Sequence, residues 1–289
     1  MNGKEKGFLL LTCRLGDENR QPLTTAQVRI LTQRVRKSVR VQGKRDLEVG
    51  DILALGYSEE MARRIVSLMD DNALLDTYLR CGRQMDCYPI SRISEAYPMA
   101  VHNRLGADAP GSLWAKGELS LLELPGVSLV GSRDIGTENL RFAQQVGMEA
   151  ARQGFVLVSG NARGADRAAQ DACLEAGGKV ICVVADELQR QPLRKNVLYL
   201  SEDGFDLGFT AQRALSRNRV IHCMGLYTFV AQCSYQRGGT WDGTVKNLRF
   251  GWSPVFCYQD GSAATALLEN MGARGIDMGE LHDFTKLNG

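Results

Sequence analysis

The chain has 289 residues, of which 44% are hydrophobic and 24% charged, enough to bury the cores of one large domain and a smaller one. Its formal net charge of +2 excludes a general attraction to nucleic acid, so DNA binding would require a local basic patch. No apolar run approaches the length of a membrane span or a signal-peptide core, so we expect a cytoplasmic protein without membrane contact.

The first part of the chain is predicted to be helical. Thr24 and Gln27 occupy capping-box positions at the start of an amphipathic helix, whose apolar stripe begins at Val28. The basic residues around that stripe are Arg29, Arg34, Arg36, Lys37 and Arg40. We expect them to form a solvated helix surface rather than a face that contacts DNA, because runs of charge usually do so. Residues 53–65 resemble a helix-hairpin-helix, whose glycine turn can present N–H groups to a phosphate or serve in packing alone. The sequence predicts a helical N-terminal domain over residues 1–120.

From residue 121 onwards, short apolar runs alternate with helical patterns. Residues 127–130 and 155–158 are continuous apolar runs, as expected of strands buried on both faces of a parallel sheet. The segment between them is an amphipathic helix that begins near Thr137 and is closed by Gly154. Six such runs, separated by helices or long connections, predict an α/β fold with a doubly wound, mostly parallel sheet over residues 121–289.

Small residues and arginines follow the first two strands. In open α/β sheets ligands lie beyond the carboxyl ends of the strands. Glycine lets a phosphate approach the backbone there, and arginine can bind it through two charge-assisted hydrogen bonds. The candidate phosphate-binding residues of these two turns are Gly131, Ser132, Arg133, Ser159, Gly160 and Arg163. Asp166, in the second turn, is predicted to be structural, capping or orienting that turn.

A second basic group lies further along the chain. Arg217, Asn218 and Arg219 precede the strand-like pair Val220-Ile221, and two arginines flanking an asparagine could clamp a phosphodiester. One of these arginines could instead form an ion pair with Glu202. If this group faces the same crevice as the first two turns, backbone phosphates of a nucleic acid would provide most of the contacts.

The order of these motifs resembles that of the DNA-processing protein A (DprA/Smf) family. The motifs are Gly131-Ser132-Arg133, then Ser159-Gly160-x-Ala162-x-Gly164-x-Asp166, then Ser201-Glu202 and Arg217-Asn218-Arg219-Val220-Ile221. The resemblance covers about residues 97–258. It implies a Rossmann-like domain that binds single-stranded DNA, helps to load a RecA-type recombinase during transformation, and self-associates as a homodimer.

The chain departs from the family pattern most clearly at residues 237–252. The family usually has Ser-Gly-Ser or Ser-Gly-Thr, then Thr-Ala, and a Gly-Arg pair before the final strand. This sequence has instead Gly238-Gly239-Thr240, then Gly243-Thr244, and Gly251-Trp252, and the family's histidine after the Gly-x-Asp turn is Gln170. We expect phosphate binding at Gly238, Gly239 and Thr240 to be retained, with Lys246 or Arg249 compensating for the lost arginine.

Cysteine and histidine usage argues against a metal site. The 8 cysteines include no Cys-x-x-Cys pair, and the 3 histidines have no ligand spacing. A Gly-x-Gly-x-x-Gly turn, a Walker lysine loop and a nucleophilic serine elbow are also absent from the sequence. We therefore predict no metal, no cofactor and no catalytic residue.

Two alternatives remain open. The glycine pair also resembles the turn of lysine-decarboxylase-like (LOG) nucleotide hydrolases and of nucleotide-sensing Rossmann proteins. Those hydrolases need a carboxylate just after a Pro-Gly-Gly-x-Gly-Thr turn, whereas this chain has Asn247 three residues after Gly-Thr. Asp242 is the only carboxylate near the turn. A second alternative is a recombination or defence scaffold whose N-terminal helices bind a protein partner. A basic stripe extending beyond the pocket favours DNA, whereas an enclosed pocket centred on Asp242 favours a nucleotide.

Overall fold

The computed structural model describes residues 1–39, 41 and 46–287. Arg40, which belongs to the basic set predicted around the first amphipathic helix, lies outside the described residues. Among the residues that are described, no helix combines the length and the apolar character needed to cross a bilayer.

The N-terminal part is helical, and its helices are α1 (Gly3–Thr12), α2 (Thr25–Lys37), α3 (Val49–Ala54), α4 (Glu59–Asp70) and α5 (Asn72–Gln84). The capping box predicted at Thr24 and Gln27 is confirmed. The hairpin between α3 and α4 is also present, and Gly56 in its turn has a φ of +82°. Arg34 of α2 donates to the carbonyls of Leu55 and Gly56, at 3.2 and 2.9 Å, and so covers this turn.

Only part of this helical segment has a core of its own. Buried residues of α2, α3 and α4, such as Val28, Ile52 and Ile65, form a small apolar cluster. In contrast, Leu9 of α1 and Tyr78 of α5 belong to the main core beneath the sheet. The helices α1 and α5 are therefore joined to the sheet by packing, whereas α2, α3 and α4 share a core of their own.

The rest of the chain alternates between strands and helices. The strands are β1 (Tyr88–Ser91), β2 (Ser112–Gly117), β3 (Gly126–Val130), β4 (Val156–Ser159), β5 (Lys179–Val183), β6 (Val197–Glu202), β7 (Thr228–Val230), β8 (Val255–Tyr258) and β9 (Arg274–Ile276). The helices are α6 (Met99–Leu105), α7 (Thr137–Arg152), α8 (Ala165–Glu175), α9 (Ala211–Met224), α10 (Gly238–Phe250) and α11 (Ala263–Asn270).

Within the described residues these strands form one nine-stranded sheet in the order β1-β2-β6-β5-β4-β3-β7-β8-β9. The strands from β6 to β9 in this order pair in parallel, while β1 and β2 are antiparallel. Buried residues of α7 and α8 pack on one face, and those of α9, α10 and α11 pack on the other. The predicted doubly wound, Rossmann-like α/β fold is confirmed.

The order of the strands reverses at β3. The chain goes from β3 to β4 on one side and returns to β7 on the other, so the carboxyl ends of β3 and β7 flank a topological switch point. Connections leave the sheet in opposite directions there and open a crevice. The segment after β3 begins at Gly131, and the segment after β7 leads into α10.

Three local predictions are corrected by the structure. The sheet begins before residue 121, because β2 pairs with β6, for example Ala115 with Leu200. The pair Val220-Ile221 lies in α9, since two apolar residues also fit the buried face of a helix. The short strand β9 follows α11 and extends the sheet beyond the six predicted runs. The division of the chain into two domains at residue 120 stays a prediction, and the segment before it also contains the strands β1 and β2.

Candidate functional site

A long groove lies at the switch point, beyond the carboxyl ends of β3 and β7. Its two sides are held together by backbone contacts: the Ser132 amide donates to the Gln232 carbonyl at 2.9 Å. The Thr240 hydroxyl of α10 donates to the Gly131 carbonyl at 3.0 Å. The groove has a volume of about 1460 Å³. It brings together most of the predicted site residues, namely Gly131, Ser132, Arg133, Arg217, Asn218, Arg219, Gly238, Gly239, Thr240 and Lys246.

A smaller pocket of about 340 Å³ adjoins the groove and shares Arg133, Phe209 and Arg217 with it. Gly160 and Arg163, which follow β4, line this second pocket. Ser159 is the exception among the predicted residues. Its side chain is buried and its hydroxyl accepts a hydrogen bond from Gln170, so it supports the turn from below.

Asp166 holds the turn after β4 in place. One of its carboxylate oxygens accepts hydrogen bonds from the amides of Gly160 and Ala162, at 3.1 and 3.2 Å. Burial raises the pKa of Asp166, while the nearby Arg217 charge and the two amides oppose that shift. Gly164 has a φ of +81°, and a Cβ there would lie 2.5 Å from the Ser132 carbonyl oxygen. The predicted orienting role of Asp166 is therefore confirmed.

Arg217 is the buried cation of the groove. It is only 7% exposed, and its guanidinium lies so close to Gly160 that a Cβ there would be 1.5 Å from Nη1. Its Nε has no hydrogen-bond partner, and within the described residues its guanidinium forms neither a hydrogen bond nor an ion pair. Burial lowers the pKa of Arg217, and Asp166 acts in the opposite direction. Burying an unpaired charge is costly, so an anion at this point of the groove would stabilise it.

Arg219 does not share this position. Its guanidinium donates to Glu202 at 3.3 Å and to the Asp108 carbonyl at 2.6 Å. The predicted clamp of two arginines around one phosphodiester is therefore wrong. The alternative, in which one arginine pairs with Glu202, is confirmed for Arg219. Residues two positions apart on a helix point in roughly opposite directions, which is why Arg217 and Arg219 have different partners.

The exposed cations of the two pockets differ in whether they form ion pairs. Lys246 pairs with Asp242 at 2.8 Å, and Arg163 pairs with Asp134 at 2.6 Å, so their charges are partly neutralised. Arg133 lies over the ring of Phe209, with its guanidinium carbon 5.6 Å from the ring centre.

Arg237 and Phe209 line the groove although they were not among the predicted contacts. Arg237 is exposed and occupies the N-cap position of α10. Its place immediately before Gly238 was a signal in the sequence that could have identified it. Phe209, 55% exposed, lies beneath Arg133, and an isolated aromatic residue in a loop gave no comparable signal.

The amino terminus of α10 provides further positive potential. No acidic residue lies in its first turn, so the amides of that turn and the helix dipole favour an anion. The Gly239 carbonyl accepts a hydrogen bond from Asn218 at 3.0 Å, which fixes this end of α10 against α9.

Behind this terminus, α10 is anchored by a buried polar network. Asn247 is fully buried, and its amide group donates to His222 Nδ1, Thr228 and Ser253 at 3.1, 3.4 and 3.0 Å. Its side-chain oxygen accepts from the Ser253 amide at 2.9 Å. Burial, with a further contribution from Arg217, lowers the pKa of His222 to about 3, so the imidazole is neutral at physiological pH. At the position where the LOG hydrolases carry a carboxylate, this chain therefore has a structural amide.

Comparison with known proteins agrees with these motifs. A family model described as DNA recombination-mediator protein A matches residues 89–249, which is more than half of the chain. This chain belongs to that family. The match includes every predicted site residue and begins inside β1, which agrees with a sheet that starts before residue 121.

Among the relatives of this family member is the DNA processing protein DprA of Streptococcus pneumoniae. It is 39% identical over 103 residues, which is 36% of this chain and 32% of the relative. The protein Smf of Escherichia coli is 28% identical over 156 residues, covering 50% of this chain and 41% of the relative. The matched segments thus span less than half of the length of each of these relatives.

Solved structures extend the likeness. The X-ray structure of DprA from Streptococcus pneumoniae has a TM-score of 0.74 and 25% identity, with 97% of this chain and 96% of that chain covered. DNA processing protein A from Helicobacter pylori has the same fold, with a TM-score of 0.57 and 22% identity over 68% of this chain and 94% of that chain. The N-terminal helices α1 to α5 precede the family match. The structural match to the Streptococcus protein covers 97% of this chain and therefore includes these helices.

Proposed function

We propose that the groove binds the phosphate backbone of single-stranded DNA, and that the chain is a DNA-processing protein without catalytic activity. Arg217 is the observation that carries this proposal, because it is a buried, unpaired cation that lines the groove. Arg133 and Arg237, which form no ion pair with any described residue, and the amino terminus of α10 line the same groove. A backbone phosphate supplies the charge and the acceptors that this arrangement lacks.

The size and the aromatic lining of the groove favour a polymer strand. Its volume of about 1460 Å³ exceeds the range of about 300–1,000 Å³ that is usual for small-ligand pockets. Phe209 and Trp241 lie along it, and aromatic rings stack readily on unpaired bases, which a duplex does not expose. The Helicobacter protein that shares this fold is described by its single-stranded DNA binding mode, which supports the same ligand here.

A nucleotide hydrolase is less well supported by the geometry. Asp242 forms an ion pair with Lys246 in the open groove, and Asp166 is occupied by two backbone amides. Catalysis would require a carboxylate free to act on the substrate together with an oriented partner. In the described parts of the chain, no three His, Cys, Asp or Glu side chains come together as a metal site would require.

The family resemblance supports two further parts of this proposal. The chain would assist the loading of a RecA-type recombinase on single-stranded DNA during transformation, in keeping with the description of the family as a recombination mediator. It would also act as a homodimer, which doubles the number of grooves available to one strand.

The proposed function predicts a marked dependence on salt. Fluorescence anisotropy with labelled dT20 should show binding that weakens with ionic strength, with a logarithmic slope of about −0.7 per neutralised phosphate. For the three unpaired arginines Arg133, Arg217 and Arg237 we expect a slope of about −2. A duplex of equal length and adenosine monophosphate, measured in parallel, should bind more weakly than dT20. Salt-independent binding, or preference for the free nucleotide, would reject the proposal.

The position of Arg217 can be tested without changing any charge. In Gly160→Ala the new methyl group occupies the space of the guanidinium, and we expect this flexible end to move out of its place. Affinity for dT20 should fall by about tenfold, which corresponds to the loss of one charge-assisted contact.

Gly208→Ala is the matched control, because it adds the same methyl group in the loop before α9, with no atom within 4 Å of the new carbon. Affinity unchanged in Gly160→Ala, or reduced equally in both variants, would contradict a role for the buried guanidinium.

A further inference from the structure

The groove has a wall that does not come from the sheet or its helices. Thr24, Thr25 and Ala26, at the amino terminus of α2, line the same groove as Arg217. The family match begins at residue 89, so this wall lies outside the part of the chain on which family membership rests. Residues 211, 212 and 214–219 of α9 line the groove as well.

The amino terminus of α2 has unused hydrogen-bond donors. The Gln27 amide donates to the Thr24 hydroxyl, and the Val28 amide donates to the Thr24 carbonyl. The amides of Thr25 and Ala26 donate to no acceptor in the described part of the chain, as expected for the first positions of a helix. No acidic residue lies in the first turn of this 13-residue helix, so its dipole is uncompensated there.

An ion pair and a hydrogen bond link α2 to α9 through Asp108. Asp108 accepts from Arg29 of α2 through its carboxylate, at 2.9 Å, and from Arg219 of α9 through its carbonyl, at 2.6 Å. Arg219 in turn pairs with Glu202 at the end of β6. These contacts link α2 to the helix that carries Arg217.

From these observations we propose that the amino terminus of α2 is a second phosphate-binding point for the same DNA strand. Two independent features then face one groove: the buried, unpartnered guanidinium of Arg217 and the free amides of Thr25 and Ala26. The strand enters at the switch point and continues towards the N-terminal helices. This inference rests on the proposed function, and it gives α2 a role in lengthening the binding site.

The test uses a single acidic substitution on the full-length chain. Ala26 is exposed at the second position of α2, and Ala26→Glu places a negative charge beside the free amides. Affinity for dT20 should fall about three- to tenfold, and the salt slope should become shallower by about 0.7, since one phosphate contact is lost. The melting temperature should not fall, because an acidic residue in the first turn of a helix is favourable.

The chain offers a matched control for charge and position. Ala73 is also an exposed alanine at the second position of a helix, α5, and lies away from the groove. Ala73→Glu should leave the affinity for dT20 at the wild-type value, and Ala26→Gln should reduce it by less than Ala26→Glu does.

The outcomes separate this inference from the proposed function. If wild-type protein binds dT20 and Ala26→Glu behaves like Ala73→Glu, the role of α2 is rejected while the groove remains the DNA site. An equal loss in Ala26→Gln and Ala26→Glu would assign the effect to side-chain bulk and would also reject it. Absence of binding by the wild type would remove the proposed function itself.

Discussion

Replacement of Arg217 by methionine is expected to weaken the binding of single-stranded DNA by one to two decades while the fold remains intact. The guanidinium lines the groove without a partner, so its loss removes a charge-assisted phosphate contact of about 1.5–3 kcal/mol. Among the described residues Arg217 has no ion pair to break, and only its longer-range attraction to the buried Asp166 is lost, so the free energy of unfolding should fall by much less than the loss of about 3–5 kcal/mol expected for a broken buried ion pair. Anisotropy and thermal unfolding on the same sample measure both effects.

Arg219→Met provides the comparison, because it removes the same charge two residues further along α9. Glu202 would be left buried without its ion-pair partner, and we expect a loss of about 3–5 kcal/mol in the free energy of unfolding. Arg217→Met should therefore lower mainly the affinity for DNA, and Arg219→Met should lower mainly the free energy of unfolding. A large drop in melting temperature for Arg217→Met, with unchanged affinity, would show that this side chain is structural.

The second large effect is expected at Asn247, which anchors α10 from below. In Asn247→Leu the buried His222 Nδ1 and the Ser253 amide lose their partners, and each buried unsatisfied group costs about 1–3 kcal/mol. We expect the free energy of unfolding to fall by about 3–5 kcal/mol and the melting temperature by about 10 °C. Calorimetry or circular dichroism measures both.

Asn72→Leu makes the same chemical change at an exposed position, the first residue of α5, and should alter stability by less than about 0.5 kcal/mol. A wild-type melting temperature for Asn247→Leu would mean that the network around His222 contributes little to the stability of α10. The amino terminus of α10 would then be held by the hydrogen bonds of Asn218 and Thr240 instead.

The parallel core of the sheet was predictable because its strands are continuous apolar runs. Residues 127–130 and 156–158 are buried on both faces of the sheet, so their hydrophobicity alone predicts these strands. The antiparallel strands β1 and β2 lack this signal. Pro89 interrupts β1, and Lys116 lies within β2, where its ammonium group donates to the Gln189 carbonyl at 2.7 Å. Their conformation is decided by the pairing of β2 with β6 and of β1 with β2, which no local pattern encodes.

The sequence predicted which residues line the groove, but it did not predict the different partners of Arg217 and Arg219. Glycine, serine and arginine after parallel strands indicate a crevice, and the structure does bring Gly131, Arg133 and Arg217 together. The partners of Arg217 and Arg219 depend on whether their segment is a strand or a helix. Side chains two residues apart share a face in a strand and diverge in a helix. The wall formed by α2 depends on contacts that Asp108 makes with Arg29 and Arg219. These residues are far apart in the chain, so no local sequence pattern predicts their contact.

The pairing of β2 with β6 also protects the molecule from aggregation through this edge of its sheet. β6 is long and buried, and it would be an edge strand if the segment before residue 121 did not supply β2 and β1 beside it. A bare edge of this kind presents a row of unpaired N–H and C=O groups that invites strands from other molecules and leads to aggregation. With β2 in place, the outermost position falls to β1, a four-residue strand that contains a proline and is a poor template for further pairing.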